Sequence, residues 1–358
     1  MTAPLIGEDA ALDAELRALL RAQLGAEIRR FEPLRGVAGH RRIFRFWLSG
    51  DHPVSLVARV DRGESPPGVL PEPPLEPVRA FLEAHGLPVP RRLGGDEARG
   101  IDLLEDLGTR ELVAVARDAA PELRRALYEE ACDLVPRLQA LRDPSGRVPS
   151  FQRRFDAALI ALKARRFAAA SLPAGLGRTP RAAEVAVVAE AFAAVAAALE
   201  RAPARLAHRD FQSTNLLVRD AAPGRRLAMV DFQGALLAPP EYDLVCLLRG
   251  SYVVLPEEEV RAHAERVRPG LPDAPDADTF WRRFDLITVV RKGKDHALWH
   301  ELAARGRPDA LAFAPATFAY VRAAALRCAR LDARLARFAE LVEELAPRLA
   351  CGDPPCVP

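Results

Sequence analysis

Two neighbouring stretches, LAHRDFQSTNLLV (residues 206–218) and RLAMVDFQG (226–234), decide how this chain is read. The first holds His208, Arg209 and Asp210, then Asn215, and runs straight into an apolar segment. The second is an apolar segment ending in Asp231, 21 residues beyond Asp210. Between them lies AAPGR (221–225), a turn composition, so the pattern predicts a short β-hairpin. Such a hairpin folds the two carboxylates back towards one place.

That pairing has a chemical meaning. Phosphoryl transfer asks little covalent help of a protein; it needs a positioned acceptor hydroxyl, a carboxylate for its proton and a cation on the phosphate oxygens. The spacing H-R-D-x-x-x-x-N offers Asp210 as the carboxylate and Asn215 as a neutral oxygen ligand for Mg²⁺. Asp231 would meet the same cation from the opposite side, as the aspartate of a D-F-G loop does, although here the order is Asp-Phe-Gln-Gly. A third segment, APPEYDLVCLL (238–248), reads as a loop entering a buried helix. There Asp243 is expected to be structural, orienting the loop that carries His208 and Asp210 and capping the helix.

Outward from this centre, the chain divides into two kinds of pattern. Residues 9–30 read as an amphipathic helix, with Leu12, Leu16, Leu20 and Leu24 at helical spacing. From Phe31 to Val60 apolar and polar residues alternate, a hairpin signal, and RRLGGDEARGIDLLEDLG (91–108) repeats it. Between the two hairpins, LEPVRAFLEAHG (75–86) forms a helix closed by Gly86. Beyond Glu111 the periodicity is helical, over 120–141, 150–170, 181–202, 257–266, 277–304 and 315–349, interrupted by the hairpin at 206–233. The expectation is an α+β, bilobal protein-kinase-like fold: a β-rich nucleotide-binding lobe (1–107), a helical catalytic and acceptor-binding lobe (108–350), and a tail (351–358).

Composition narrows the function classes. The 358 residues carry 51 basic and 49 acidic side chains, a net charge of +2, so no strong field points to nucleic acid or to a membrane surface. Five scattered cysteines read as reduced thiols; Cys351 and Cys356 flank GDPP in the tail. The N-terminus lacks the basic-then-apolar order of a signal peptide, and the most apolar run, within 185–199, is broken by Glu190 and reads as a core helix. A cytoplasmic protein is expected; nothing in the sequence assigns an oligomeric state. Only three basic residues are lysines: Lys163, Lys292 and Lys294.

The motifs taken together resemble the aminoglycoside phosphotransferase-like kinases. Within them they are most similar to the bacterial sugar kinases that phosphorylate N-acetylmuramate and N-acetylglucosamine at the anomeric hydroxyl. The resemblance rests on HRDFQSTNLLV, on Asp-Phe-Gln, on YDLVCLLR (242–249), on RGVAGHRRIFRF (35–46), on LLEDLGTREL (103–112) and on FDLITVVRKGK (284–294). It implies ATP and Mg²⁺ as cofactors and a small-molecule sugar acceptor as partner. It places Asp210 as the catalytic carboxylate, with Asn215 and Asp231 on the metal. The segment 103–107, with Glu105 and Leu107, becomes the hinge that meets adenine through its backbone. Gly36 and Gly39 let the chain approach the phosphates.

In VSLVARVD (54–61) Arg59 stands where a kinase carries its phosphate-gripping lysine, and Glu76, seventeen residues on, suits its carboxylate partner. Arg41 and Arg45 are rival clamps. Gln212, Asp156, Arg291 and Lys294 are the acceptor-side candidates. Gln212 and Thr214 depart from the His and Arg usual in the muramate kinases, and Val37 and Val290 replace an Asp and a Gln. Two alternatives stand beside this reading: a kinase of the same fold for an aminoglycoside or amino alcohol, and a pseudokinase that binds nucleotide without turnover.

Overall fold

The computed structural model describes residues 8–34, 41–49, 55–61 and 72–349. Gly36, Val37, Gly39, Cys351 and Cys356 lie outside the described residues. The chain divides into two compact units, Met1–Thr109 with Ala228–Gln233, and Arg110–Leu227 with Gly234–Pro358.

In the first unit, helix α1 (Glu8–Leu24) buries Leu12, Leu16 and Leu20 against a five-stranded sheet. The helix was expected to run to residue 30. It stops at Leu24 because Gly25 takes a left-handed conformation (φ 62°), open to a residue without a Cβ, and the chain turns into a strand. The strands are β1 (Glu27–Leu34), β2 (Arg42–Ser49), β3 (Ser55–Val60), β4 (Arg92–Asp96) and β5 (Ile101–Glu105), in the order β1-β2-β3-β5-β4 with every neighbour antiparallel. Period-2 alternation turns Phe44, Phe46 and Leu48 of β2, Leu56, Ala58 and Val60 of β3, and Ile101 and Leu103 of β5 into one core with α1. Helix α2 (Leu75–Ala84) follows β3 and ends before Gly86 (φ 71°), as its sequence signals.

The second unit is helical, with three short strands wholly within it and the start of a fourth. Its helices are α3 (Leu112–Asp118), α4 (Pro121–Ala140), α5 (Ala157–Arg166), α6 (Leu172–Leu176), α7 (Ala182–Leu199), α8 (Tyr242–Leu248), α9 (Glu257–Val267), α10 (Ala277–Ala304), α11 (Ala314–Cys328) and α12 (Ala333–Leu349). Strand β6 (Arg205–Ala207) pairs antiparallel with β9 (Leu236–Ala238). The expected hairpin is present: β7 (Leu216–Val218) leads to β8 (Leu227–Met229), closed by the Arg219 N–H on the Arg226 carbonyl at 2.7 Å.

Helix α10 is the axis of this unit and is buried along most of its length, packing against α5, α7, α8 and α11. Beside it, Phe167, Phe192 and Phe338 form an aromatic cluster with centroids 5.8–6.1 Å apart. Gly293 leaves room for that cluster: a Cβ there would stand 3.3 Å from the rings of Phe167 and Phe192. Helix α7 is long and apolar enough to cross a membrane by length and composition, which the broken apolar run did not suggest. In the structure it packs on α5 and α12, with Val188, Phe192 and Val195 buried.

Two helix expectations are corrected. The run 150–170 opens as a 3-10 turn (Pro149–Gln152) and becomes an α-helix only from Ala157, where Asp156 caps it by accepting the Leu159 N–H at 2.9 Å. The run 315–349 is two helices, separated at Asp332, whose extended backbone and bond from the Arg334 N–H (2.8 Å) start α12 afresh. Helix α6 crosses α12 so closely that a Cβ on Gly175 would lie 2.8–2.9 Å from Leu345 and Leu349. Gly175→Ala is therefore expected to destabilise by about 1–3 kcal/mol through overpacking, read as a fall of a few degrees in Tm. An unchanged Tm would contradict this packing.

Candidate active site

In the second unit the loop after β6 is built around one carboxylate. Asp243, at the start of α8, is 2% exposed and accepts the His208 N–H at 2.7 Å and the Arg209 N–H at 3.1 Å. Arg209 has φ 78°, a left-handed conformation costly for a residue with a Cβ, and the Asp243 bonds hold it there. The Cys246 thiol adds a contact to the Arg209 carbonyl at 3.4 Å. Burial pushes the Asp243 carboxyl up to about 7, against the two N–H bonds, which pull it down. His208 is buried with its ring edge-on to Phe211.

One residue on, the loop presents Asp210. Its backbone carbonyl accepts the Gln212 N–H at 2.9 Å and the Asn215 Nδ2 at 2.8 Å, and the Asn215 N–H closes the turn on the Gln212 carbonyl at 2.8 Å. Asn215 thus spends its amide nitrogen on the loop and keeps its Oδ1 for another partner. The Asp210 side chain is 27% exposed and accepts from Arg291 Nη2 at 2.9 Å, with Arg209 Nε at 3.8 Å. Burial alone would raise the Asp210 carboxyl; Arg291, Arg209, Lys294 and Lys163 outweigh it and hold it well below the usual carboxylate range.

Arg291 reaches Asp210 from α10, where it also pairs with Asp295 and donates its Nε to the Cys246 sulfur at 3.2 Å. Asp295 further takes Lys292 Nζ at 2.7 Å and Lys294 Nζ at 3.4 Å. Four of the residues named from sequence, Asp210, Arg291, Lys294 and Asn215, therefore share one neighbourhood. Gln212 enters through its backbone, and Asp156 stands apart, capping α5 at the rim of a cavity of about 810 Å³ lined by α5 and α7. Asp295, Lys292 and Lys163 escaped the sequence reading. The signal that could have found them was lysine itself, since all three lysines of the chain sit in this cluster.

The first unit holds a second constellation. Asp231 has φ 61° and a side chain 47% exposed. Its Oδ1 accepts from Arg41 Nη1 at 3.0 Å and from Gln233 Nε2 at 2.7 Å. Arg41 also donates to Asp61 at 3.0 Å and pairs with Glu72, while Gln233 bonds Glu72 at 3.1 Å. The expected pair of Arg59 with Glu76 is not formed. Arg59 donates to Asp61 at 2.6 Å and Asp102 at 3.1 Å, two carboxylates nearer along the sheet. Glu76 turns to Arg79, three residues away, and accepts the Ala80 N–H. Arg41 thus bonds Asp231, and Glu72 is a carboxylate that sequence reasoning missed, hidden in a Pro-rich connector.

Arg45, the other rival clamp, is turned elsewhere. It makes a two-pronged bond to Asp106 (2.7 and 2.9 Å) and a third to the Gly108 carbonyl at 3.0 Å, bracing the segment after β5. Within that segment Glu105 spends its N–H on the Arg91 carbonyl (2.9 Å) and its carboxylate on Arg91. No group of three or more metal-ligating side chains stands preformed among the described residues.

Comparison with known proteins fits these motifs. The model of the phosphotransferase enzyme family (APH) matches residues 31–277. The N-acetylmuramate/N-acetylglucosamine kinase of Pseudomonas aeruginosa is 31% identical over 328 residues, 88% of this chain and 87% of that protein. The protein of the same name from Neisseria meningitidis serogroup B is 30% identical over 318 residues, 86% of this chain and 90% of that one. Among solved structures, a choline kinase of Streptococcus pneumoniae aligns with a TM-score of 0.58 at 12% identity, covering 91% of this chain and 99% of its own. The GDP complex of aminoglycoside 2'-phosphotransferase-IIIa also aligns at 0.58, with 16% identity, covering 93% and 98%. These neighbours identify the expected α+β kinase-like fold. From residue 31 to residue 277, through both constellations, the chain belongs to the phosphotransferase enzyme family.

Proposed function

We propose that this phosphotransferase moves a phosphoryl group from ATP to the anomeric hydroxyl of an amino sugar of the N-acetylmuramate or N-acetylglucosamine type. The observation that carries the reading is the Asp210 carboxylate, held ionised by Arg291 on a loop braced by Asp243, in a chain whose relatives are named for those sugars. An aspartate whose carboxyl lies so low is a weak base, so its first task is to orient the hydroxyl by accepting its hydrogen bond. An anomeric hydroxyl is more acidic than an ordinary alcohol, and a loose transition state asks for deprotonation late. Weak basicity at Asp210 is then no handicap.

Asn215 and Asp231 are the residues that would hold Mg²⁺. Both supply oxygen, the donor a hard cation prefers, and Asn215 keeps its Oδ1 free of the loop. When bound, the cation neutralises and orients phosphate oxygens. Arg41 takes the phosphate-binding role first considered for Arg59, because it adjoins Asp231 and is itself steadied by Glu72. Arg59, with Asp61 and Asp102, then stiffens the sheet. With Glu105 bonded to Arg91, the contact to adenine passes to the backbone at Leu107. Arg291 acts through Asp210, and Lys294 and Gln212 face the acceptor side.

Three outcomes test this. Nucleotide consumption with N-acetylmuramate or N-acetylglucosamine, followed by ³¹P and ¹H NMR, is expected to place the phosphate on the anomeric oxygen; phosphate on another hydroxyl would overturn the acceptor reading. Asp210→Ala is expected to lower kcat by about 10²–10⁴-fold with nucleotide binding retained. Arg41→Met is expected to raise the nucleotide KM by about tenfold or more, as for a lost charge-assisted bond, whereas Arg59→Met lowers Tm and leaves that KM within a few-fold. The opposite ranking of the two arginines would return the phosphate role to Arg59.

A further inference from the structure

His296 and His300 stand four residues apart on α10, a spacing that puts both rings on one face of the helix. His296 is fully buried, walled by the rings of Phe318 and Phe167, whose centroids lie 5.3 and 6.4 Å from its own. His300 is half-buried, so the pair is reached from its side. The two Nε2 atoms are 3.4 Å apart, beyond the roughly 2.7–3.2 Å of a protein N–H···O bond. That separation suits a chelate better. Two imidazole nitrogens about 2.0–2.1 Å from one tetrahedral cation lie about 3.3–3.4 Å apart, whereas a square-planar cation would draw them to about 3 Å.

The far nitrogen of His296 is also provided for. Its Nδ1 meets the Ser171 Oγ at 2.8 Å, and Ser171 is wholly buried. Ser171 ends a π-helical turn, Phe167–Ser171, a widening of the helix that recurs at functional sites. With its Nδ1–H donated to Ser171, His296 keeps the lone pair on Nε2, the arrangement that metal-ligating histidines use. Burial disfavours the charged ring, and neutral imidazole is the form that ligates. The carboxylates next along α10 are engaged: Glu301 pairs with Arg166, and Asp295 with Arg291, Lys292 and Lys294.

We infer that His296 and His300 form a site for a tetrahedral divalent cation of the zinc class, with Ser171 orienting His296 and water completing the coordination. Its donors differ in kind from Asn215 and Asp231, the residues proposed for Mg²⁺: imidazole nitrogen suits zinc, and amide and carboxylate oxygen suit magnesium. The site does not depend on which acceptor the enzyme takes. A bound cation clips one turn of α10, the helix from which Arg291 reaches Asp210, and its binding stabilises the folded chain.

The test titrates the full chain, stripped with a chelator and dialysed, with Co²⁺ and then Zn²⁺ in excess Mg²⁺. The wild type is expected to give the visible absorption of tetrahedral Co²⁺, saturating at one equivalent, and to lose it as Zn²⁺ displaces the cobalt. Its Tm is expected to rise with Zn²⁺ and not with Mg²⁺. His300→Ala is expected to lose both the absorption and the Tm rise, and Ser171→Ala to weaken binding by about 10–100-fold. A full-strength cobalt band in His300→Ala would assign the metal to other ligands and overturn the site. A wild type with neither a tetrahedral band nor a zinc-dependent Tm overturns it as well, whether or not His300→Ala folds.

Discussion

The Asp243 carboxylate, accepting the backbone N–H groups of His208 and Arg209, is the interaction on which the candidate active site depends. It keeps Arg209 in a left-handed conformation that a side chain with a Cβ does not choose freely. Because Arg209 is held there, the next residue, Asp210, faces Arg291. Loss of the carboxylate would leave two N–H groups without their partner, each at a cost of about 1–3 kcal/mol where buried. It would also release the loop to relax away from the strained angle. The Asp210 carboxylate is therefore positioned by Asp243, through the backbone of the residue before it.

The electrostatics of α10 set the character of Asp210. Arg291 spans Asp210 and Asp295, and the lysines beside Asp295 keep the neighbourhood positive. Such an environment suits a carboxylate that orients a hydroxyl more than one that strips it. It also suits a reaction in which negative charge arrives on the donor and, if the acceptor is acidic, on the acceptor as well. In the first unit Asp61, Glu72 and Asp231 gather about Arg41, and Asp61 is shared with Arg59.

Much of this was legible in the sequence because it is local. Asp210 and Asn215 share one turn, Asp231 follows a short apolar run, and Gly25 and Gly86 end their helices as left-handed glycines do. The helix at 277–304 matched its periodicity to the residue. What escaped was long-range. Glu72 reaches Arg41 across 31 residues and Arg291 reaches Asp210 across 81, distances at which no period or spacing speaks. The expected Arg59–Glu76 pair shows the converse hazard. Position along the chain suggested it, but Asp61 and Asp102 lie closer to Arg59, and Arg79 lies closer to Glu76. The scarcity of lysine is plain from composition; only the fold brings Lys163, Lys292 and Lys294 to one place.

The ionisation of Asp210 tests this arrangement most directly. In protein labelled with ¹³C at the aspartate carboxyl, with the resonance assigned by Asp210→Asn, the Asp210 signal is expected to stay at its ionised position below the ordinary aspartate midpoint of about 3.9. In Arg291→Met it is expected to titrate at higher pH than in the wild type, since the largest charge holding it down is gone. A wild-type midpoint at or above the ordinary value, unmoved by the loss of Arg291, would contradict the roles of both residues.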